Sequence, residues 1–170
     1  MAGGMHGMSP DEIRRHEAAH GRGAAWGEET NRGVVRVFVP DGKAVHNYAT
    51  GLRNCSGLIM QARTERLWCV MNERDHLGPH LVPDFLASID EGGFYGWPWY
   101  YLGNNEDPAR RGERPDLAAH VKVPEVLIQA HSSALAPCST STTPSPPNTA
   151  AMRSSPCTAR TVARIEPATK

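Results

Sequence analysis

The sequence predicts a mainly β chain, built from short strands stacked in antiparallel order behind one short helix. Three observations carry that expectation. Runs rich in Val, Leu, Ile and aromatic residues recur between Val34 and Met71, each closed by a Gly, Pro, Asp or charged turn. The stretch from Gly51 to Tyr101 holds eight of the eleven aromatic residues, which places the core there. Beyond Ser132 there is no aromatic residue, and Ser, Thr, Pro and Ala dominate. Such a segment cannot bury enough apolar surface to offset its ordering entropy.

Global properties narrow the function. A chain of 170 residues is of ordinary size for one domain. Its formal net charge of zero gives no case for a general nucleic-acid or acidic-membrane binder. No apolar run is long enough to span a bilayer. The N-terminal residues lack the apolar core of a secretory signal, so any export signal is expected to lie outside this chain.

The elements follow in order. Ser9-Pro10-Asp11-Glu12 is a helix start: Ser caps, Pro takes the first helical position, and Glu stands three residues after the cap. The helix runs from Pro10 to about His20. It carries His16-Glu17-Ala18-Ala19-His20, a literal H-E-x-x-H. Two His one turn apart can hold a zinc, with Glu17 activating its water. Gly23 also falls where the longer zinc-protease pattern has its glycine, but Trp26 stands where that pattern needs a third His. The competing reading is a polar, solvated helix.

Gly33 to Val39 is the clearest strand, closed by Pro40-Asp41-Gly42-Lys43, a hairpin turn. Ala44 to Ala49 is the return strand. A turn at Gly51-Leu52-Arg53-Asn54 leads to the apolar run Gly57 to Met60, then a polar turn at 62–65 and a fourth strand, Leu67 to Met71. This spacing fits a stacked antiparallel sheet such as a propeller blade. Asn72 to Gly92 is expected to be a long ordered loop, anchored by Leu81, Val82, Phe85, Leu86 and Ile89. Gly93 to Tyr101 opens another strand, where two Gly in an aromatic run suit a tight bend or a flat ligand. Gly103 to Asp116 reads as a charged surface loop, and Val121 to Val126 as a weak strand. The cysteines, Cys55, Cys69, Cys138 and Cys157, have no zinc-ribbon spacing. They read as buried or stray thiols, with a Cys55–Cys69 disulfide as the alternative.

Four motifs now stand in order: Gly51–Asn54, Leu67–Gly78 (LWCVMNERDHLG), Leu81–Leu86 (LVPDFL) and Gly92–Gly103 (GGFYGWPWYYLG). Together they resemble the pyrroloquinoline-quinone (PQQ)-dependent sugar dehydrogenases, in particular the sorbosone-dehydrogenase-like members, related in fold to soluble glucose dehydrogenase. The resemblance spans roughly Glu28 to His131. It implies a six-bladed β-propeller, of which this chain has length for about two blades. With the composition of the C-terminal part, it divides the chain into an N-terminal segment with a short helix (1–27), a partial propeller (28–131) and a tail (132–170) that its composition predicts to be disordered. It implies PQQ and Ca²⁺ as cofactors, a sugar or aldehyde as substrate and a periplasmic home for the intact relatives.

By the same resemblance, Arg53 and Asn54 contact the quinone, whose three carboxylates suit a bidentate guanidinium. Main-chain oxygens of Arg74 and Asp75 lie near the Ca²⁺, and Glu73 and Asp84 near the substrate. The competing reading of Arg53 is a turn-stabilising surface ion pair; that of Asp84 is a helix-cap or turn acid. The family's general-base His and the cofactor-clamping Lys and Arg of its later blades have no counterpart here. The chain is therefore expected to be an inactive fragment of such an oxidoreductase. A non-enzymatic propeller-like binding fragment and the zinc reading are the alternatives.

The tail has its own explanation. Relatives continue past the His131 region with a segment resembling F-P-x-x-Y-R-G-x-A-F-x-x-x-H-G-S. Codons for Ser145 to Ala159, read from each third base, allow that string: Asn148 into Thr149 gives only Tyr or His, and Cys157 into Thr158 likewise. A frameshift shortly after Ser133 is the expectation.

Overall fold

The computed structural model describes residues 8–41, 45–61 and 63–137. One helix, α1 (Pro10–His20), precedes nine strands: β1 (Val35–Phe38), β2 (Val45–Thr50), β3 (Cys55–Gln61), β4 (Arg66–Met71), β5 (Phe85–Ile89), β6 (Gly93–Phe94), β7 (Tyr100–Tyr101), β8 (Asn105–Glu106) and β9 (Val126–Leu127). The chain is mainly β, as its composition pattern predicts.

The helix starts at the expected cap. The Ser9 hydroxyl accepts from the Glu12 amide, and the Glu12 carboxylate accepts from the Ser9 amide. No residue of α1 is fully buried, so its own packing holds it only weakly to the sheets. A polar bridge does that instead: Glu17 Oε1 accepts from the Gly23 amide at 2.8 Å and from Arg114 Nη2 at 2.7 Å.

The strands form three sheets, with orders β1-β2-β6, β3-β4-β5-β9 and β7-β8. All pairings are antiparallel except β2 with β6. The first two sheets share one core. Val35 and Ala49 from the first meet Cys69, Met71, Phe85, Ala87 and Ile89 from the second, with Leu52 and Tyr95 between them. The sheets stay open among the described residues, with no closed barrel. No helix among these residues is long and apolar enough to cross a membrane.

Several expectations need correction. The stretch from Asn72 to Gly92 is not all loop, because its second half is β5, the third strand of the larger sheet. Of the five apolar anchors expected there, Val82, Phe85, Leu86 and Ile89 are buried, whereas Leu81 is exposed. The expected surface loop from Gly103 to Asp116 contains β8 and a 3-10 turn at Pro108–Arg110, and it buries Asp107 and Arg114. The aromatic run 93–101 splits into β6 and β7 around a bend at Gly96. A Cβ there would sit 2.6 Å from the Tyr100 carbonyl oxygen, and φ is +105°, so only Gly fits.

The thiol reading fails for two cysteines. Cys55 and Cys69 are joined in a disulfide with Cα atoms 5.8 Å apart, closing a separation of 14 residues. By loop-entropy arguments such a closure stabilises by about 3 kcal/mol. Cys138 and Cys157 lie outside the described residues. So does all of the expected disordered tail except 132–137, and those six are not a free tail. Ser132 Oγ and the Ser133 amide donate to Asp84 Oδ2 at 3.2 and 2.9 Å, and the Ala134 carbonyl accepts from Ser56 Oγ at 2.7 Å.

Candidate functional site

The Gly51–Asn54 corner joins β2 to β3, and the aromatic bend 95–99 is laced to it. Tyr95 N donates to Thr50 O at 3.0 Å, and Trp97 N donates to Gly51 O at 2.9 Å. Gly51 is needed for this approach: a Cβ would lie 2.6 Å from the Phe94 ring and 2.8 Å from Gly96 N. The Arg53 guanidinium consequently sits over the Trp97 ring, 5.9 Å from its centroid. Two motifs more than forty residues apart in the chain thus form one surface feature.

Arg53 is 29% exposed. Its Nη1 donates to the Asn72 carbonyl at 3.0 Å, and its Nη2 lies 3.5 Å from Asp75 Oδ2. The corner is also tied to the end of β4. Asn72 N donates to Asn54 O at 2.9 Å, and Asn54 N points at Met71 Sδ at 3.2 Å. Asn54 itself is exposed. Asp75 receives His131 Nδ1 at 3.1 Å, while His131 Nε2 faces the Gly78 carbonyl at 2.9 Å. Both partners are acceptors, so only the doubly protonated ring serves both. The Gly78 carbonyl first, then Asp75, hold the His131 pKa above the usual imidazole value.

Arg74 occupies the opposite situation. Its side chain is 1% exposed. Nε donates to Glu73 Oε2 at 3.0 Å, Nη1 to Asp107 Oδ2 at 2.7 Å and to Pro98 O at 3.3 Å, and Nη2 to Tyr100 O at 2.7 Å. Its guanidinium also lies 4.9 Å from the Trp97 centroid and 5.4 Å from that of Tyr101. Burial pushes the Asp107 carboxyl up, but the Ala109 amide and Arg74 outweigh it and hold the pKa below the usual range. His76, half exposed, stands 3.3 Å from the same Asp107 oxygen.

The two carboxylates assigned to substrate contact therefore have other posts. Glu73 is buried against Arg74, its Oε2 also accepting from the Arg74 amide at 3.1 Å. Asp84 is buried as well. Its Oδ1 accepts from Glu73 N at 2.8 Å, and its Oδ2 takes the Ser132 and Ser133 donors, so it pins two loops together. Arg53 has the surface ion pair of its competing reading, together with an indole that reading did not include. Sequence reasoning missed Asp107, His131 and Asn72. Asn72 and Asp107 lie in charged runs, where one more polar residue carries no signal, and His131 stands among small polar residues near the end of the described residues.

What the corner offers a cofactor can be tested on these contacts. For a flat polycarboxylate it presents a partly exposed guanidinium, an exposed amide and an indole face. It also presents Asn72 Oδ1, a buried acceptor with no donor among the described residues. That set fits PQQ. Calcium fits less well, because no three His, Cys, Asp or Glu side chains among the described residues cluster to hold a metal. It would rest on the main-chain oxygens of Arg74 and Asp75, of which the Arg74 oxygen accepts only a long bond, 3.5 Å from Val82 N.

The H-E-x-x-H helix fits a metal poorly. His16 Nε2 faces the Ala25 carbonyl at 3.2 Å, the His16 ring meets Trp26 edge-on, and Glu17 is occupied by Gly23 and Arg114. Burial, the largest influence, holds His16 below the usual imidazole pKa. Comparisons with protein-family models, with curated proteins and with solved structures give no match to this chain.

Proposed function

We propose that the chain is part of a PQQ-dependent sugar or aldehyde dehydrogenase, a partial propeller of about two blades, and that its share of the work is to bind one side of the quinone. One observation carries the reading: the Arg53–Asn54 corner and the Gly-Trp-Pro-Trp bend are hydrogen-bonded together, with Arg53 over Trp97. The core shared by the first two sheets also supports it, since neighbouring blades pack sheet against sheet.

When bound, the quinone supplies a hydride acceptor and Ca²⁺ a Lewis acid. The chain's own residues bind and orient. Arg53 offers a carboxylate a charge-assisted, two-pronged partner. Trp97 offers a flat apolar face, and Asn54 and Asn72 Oδ1 offer a donor and an acceptor at its rim. Arg74, 4.9 Å from the indole centroid, helps hold the ring, and the Asp75–His131–Gly78 bonds fix the loop edge. No residue here takes the substrate proton, since the family's base lies elsewhere, so the chain alone is inactive. Glu73 and Asp84 act by shaping the loop rather than by touching sugar.

The test is titration of the full chain with PQQ, with and without Ca²⁺, followed by tryptophan fluorescence. Saturable quenching that weakens at least about tenfold in Arg53→Ala is expected, the loss of one charge-assisted pair. Equal binding by wild type and variant, or none by either, overturns the reading. Dye reduction with an aldose and the loaded chain would overturn the inactivity.

A further inference from the structure

We propose that Cys55 and Cys69 are a modification site, closed by a thiol–disulfide oxidant, and that the closed bond sets the spacing of the two loops around Arg53. The consequence rests on reading those loops as a binding site; the chemistry does not.

Placement is the argument. Cys55 directly follows Arg53–Asn54, and Cys69 precedes Met71, where β4 runs out into Asn72–Asp75. β3 is an edge strand with β4 as its one neighbour. Its register slips between Cys55 and Gly57: Cys55 faces Met71, Gly57 faces Val70 and Leu58 faces Cys69. A bulge weakens a ladder where it occurs, and here it occurs at the end of β3 that carries the corner. Cys69 lies two residues from Met71, hence on the same face as Cys55 and diagonal to it. The bond thus crosses the slip and ties the edge strand where backbone pairing is irregular. Three contacts just beyond it join the loops: Asn72 N to Asn54 O, Asn54 N to Met71 Sδ and Arg53 Nη1 to Asn72 O.

The unequal burial orders the chemistry. Cys69 is sealed in the core, whereas Cys55 is only partly buried. The Cys55 thiolate attacks a sulfur of the oxidant's disulfide, forming a mixed disulfide and releasing one oxidant thiolate. The Cys69 thiolate then attacks Cys55 Sγ and releases the second. Two protein thiols give up two protons and two electrons, and the oxidant leaves as a dithiol.

The test uses the full chain carrying Cys138→Ser and Cys157→Ser, produced under oxidising conditions with no quinone present, so its outcome is independent of whether the corner binds one. Alkylation and digestion without reductant should yield one cross-linked peptide pair containing Cys55 and Cys69. Dithiothreitol on the folded protein, leaving as its cyclic disulfide, should then raise amide exchange at 53–55 and 72–75 by about tenfold or more, with Val70 and Leu86 unchanged. Two alkylated thiols before reduction would overturn the proposal. So would reduction that leaves both loops unchanged, or that raises exchange throughout the fold. Cys55→Ser alone gives a second check: if it folds, it should show the reduced exchange pattern without reductant.

Discussion

Arg53, on the loop between β2 and β3, and Arg74, on the loop between β4 and β5, face the same indole, 5.9 and 4.9 Å from the Trp97 centroid, yet they lead opposite lives. Arg74 finds every partner inside the protein: two carboxylates and two main-chain oxygens, all sealed from water. Arg53 finds one carbonyl at hydrogen-bond distance and one exposed carboxylate at 3.5 Å. A cation whose counter-charges are built in is structural. A cation held beside an aromatic face with weak internal partners keeps capacity for an external anion. Trp97, pinned by one and presented by the other, is where the two regions meet.

The largest effect should come from breaking the buried side. Arg74→Met strands Glu73 and Asp107 as buried carboxylates without a cation, which costs about 3–5 kcal/mol. Urea denaturation should show it as a large drop in midpoint. Arg74→Lys should recover little, because a point charge cannot span Glu73, Asp107 and two carbonyls at once. A fully stable Arg74→Met would mean that the hub is not what holds the bend.

How much of this contrast was legible in the sequence depends on where the partners come from. The cap at Ser9, the strands up to Met71 and the Arg53–Asn54 turn are local patterns, and local patterns read well. β5 was hidden because Phe85-Leu86-Ala87-Ser88-Ile89 follows a charged, Pro-containing stretch and is apolar at four of its five positions, with no alternation to mark it as a strand. The burial of Arg74 was hidden for a different reason. Its partners are Glu73, Pro98, Tyr100 and Asp107, and only the first is a sequence neighbour. Likewise the Cys55–Cys69 bond depends on a register slip that no spacing rule announces.

A second buried arginine sharpens the comparison. Arg114 joins α1 to the body through Glu17 while also holding Asp116 and lying 5.4 Å from the Trp99 centroid. Glu17→Gln removes one acidic partner and leaves Asp116 in place, so the loss should be about 1–2 kcal/mol, below that of Arg74→Met. Limited proteolysis should find the linker after α1 cut faster. Arg53→Ala should be milder still for stability, about 0–1 kcal/mol, as for exposed pairs, although it is the variant expected to lose quinone binding. A stability loss equal to that of Arg74→Met would erase the distinction between the two regions.

The smallest effect separates the regions by pH. At the corner, His131 is held above its unfolded pKa by the Gly78 carbonyl and Asp75, with Asp84 adding to the attraction. A raised histidine contributes stability that is fully present below about 6.5 and is lost as pH rises through the folded value. At the hub, Asp107 is held below its unfolded value, so its contribution is present above about 3.9 and is lost as pH falls through the folded value. The loop from Asp75 to Gly78 should therefore loosen on going from pH 6 to 8, while the Arg74 hub loosens only in acid. Amide exchange corrected for intrinsic rate, read at 75–78 and at 99–101 across both windows, checks this. Asp75→Asn should lower the His131 midpoint followed by proton NMR and leave the acid limb unmoved. If both regions instead loosened together in one window, Arg53 and Arg74 would belong to one cooperative network, and the open corner would be no more available to a ligand than the sealed one.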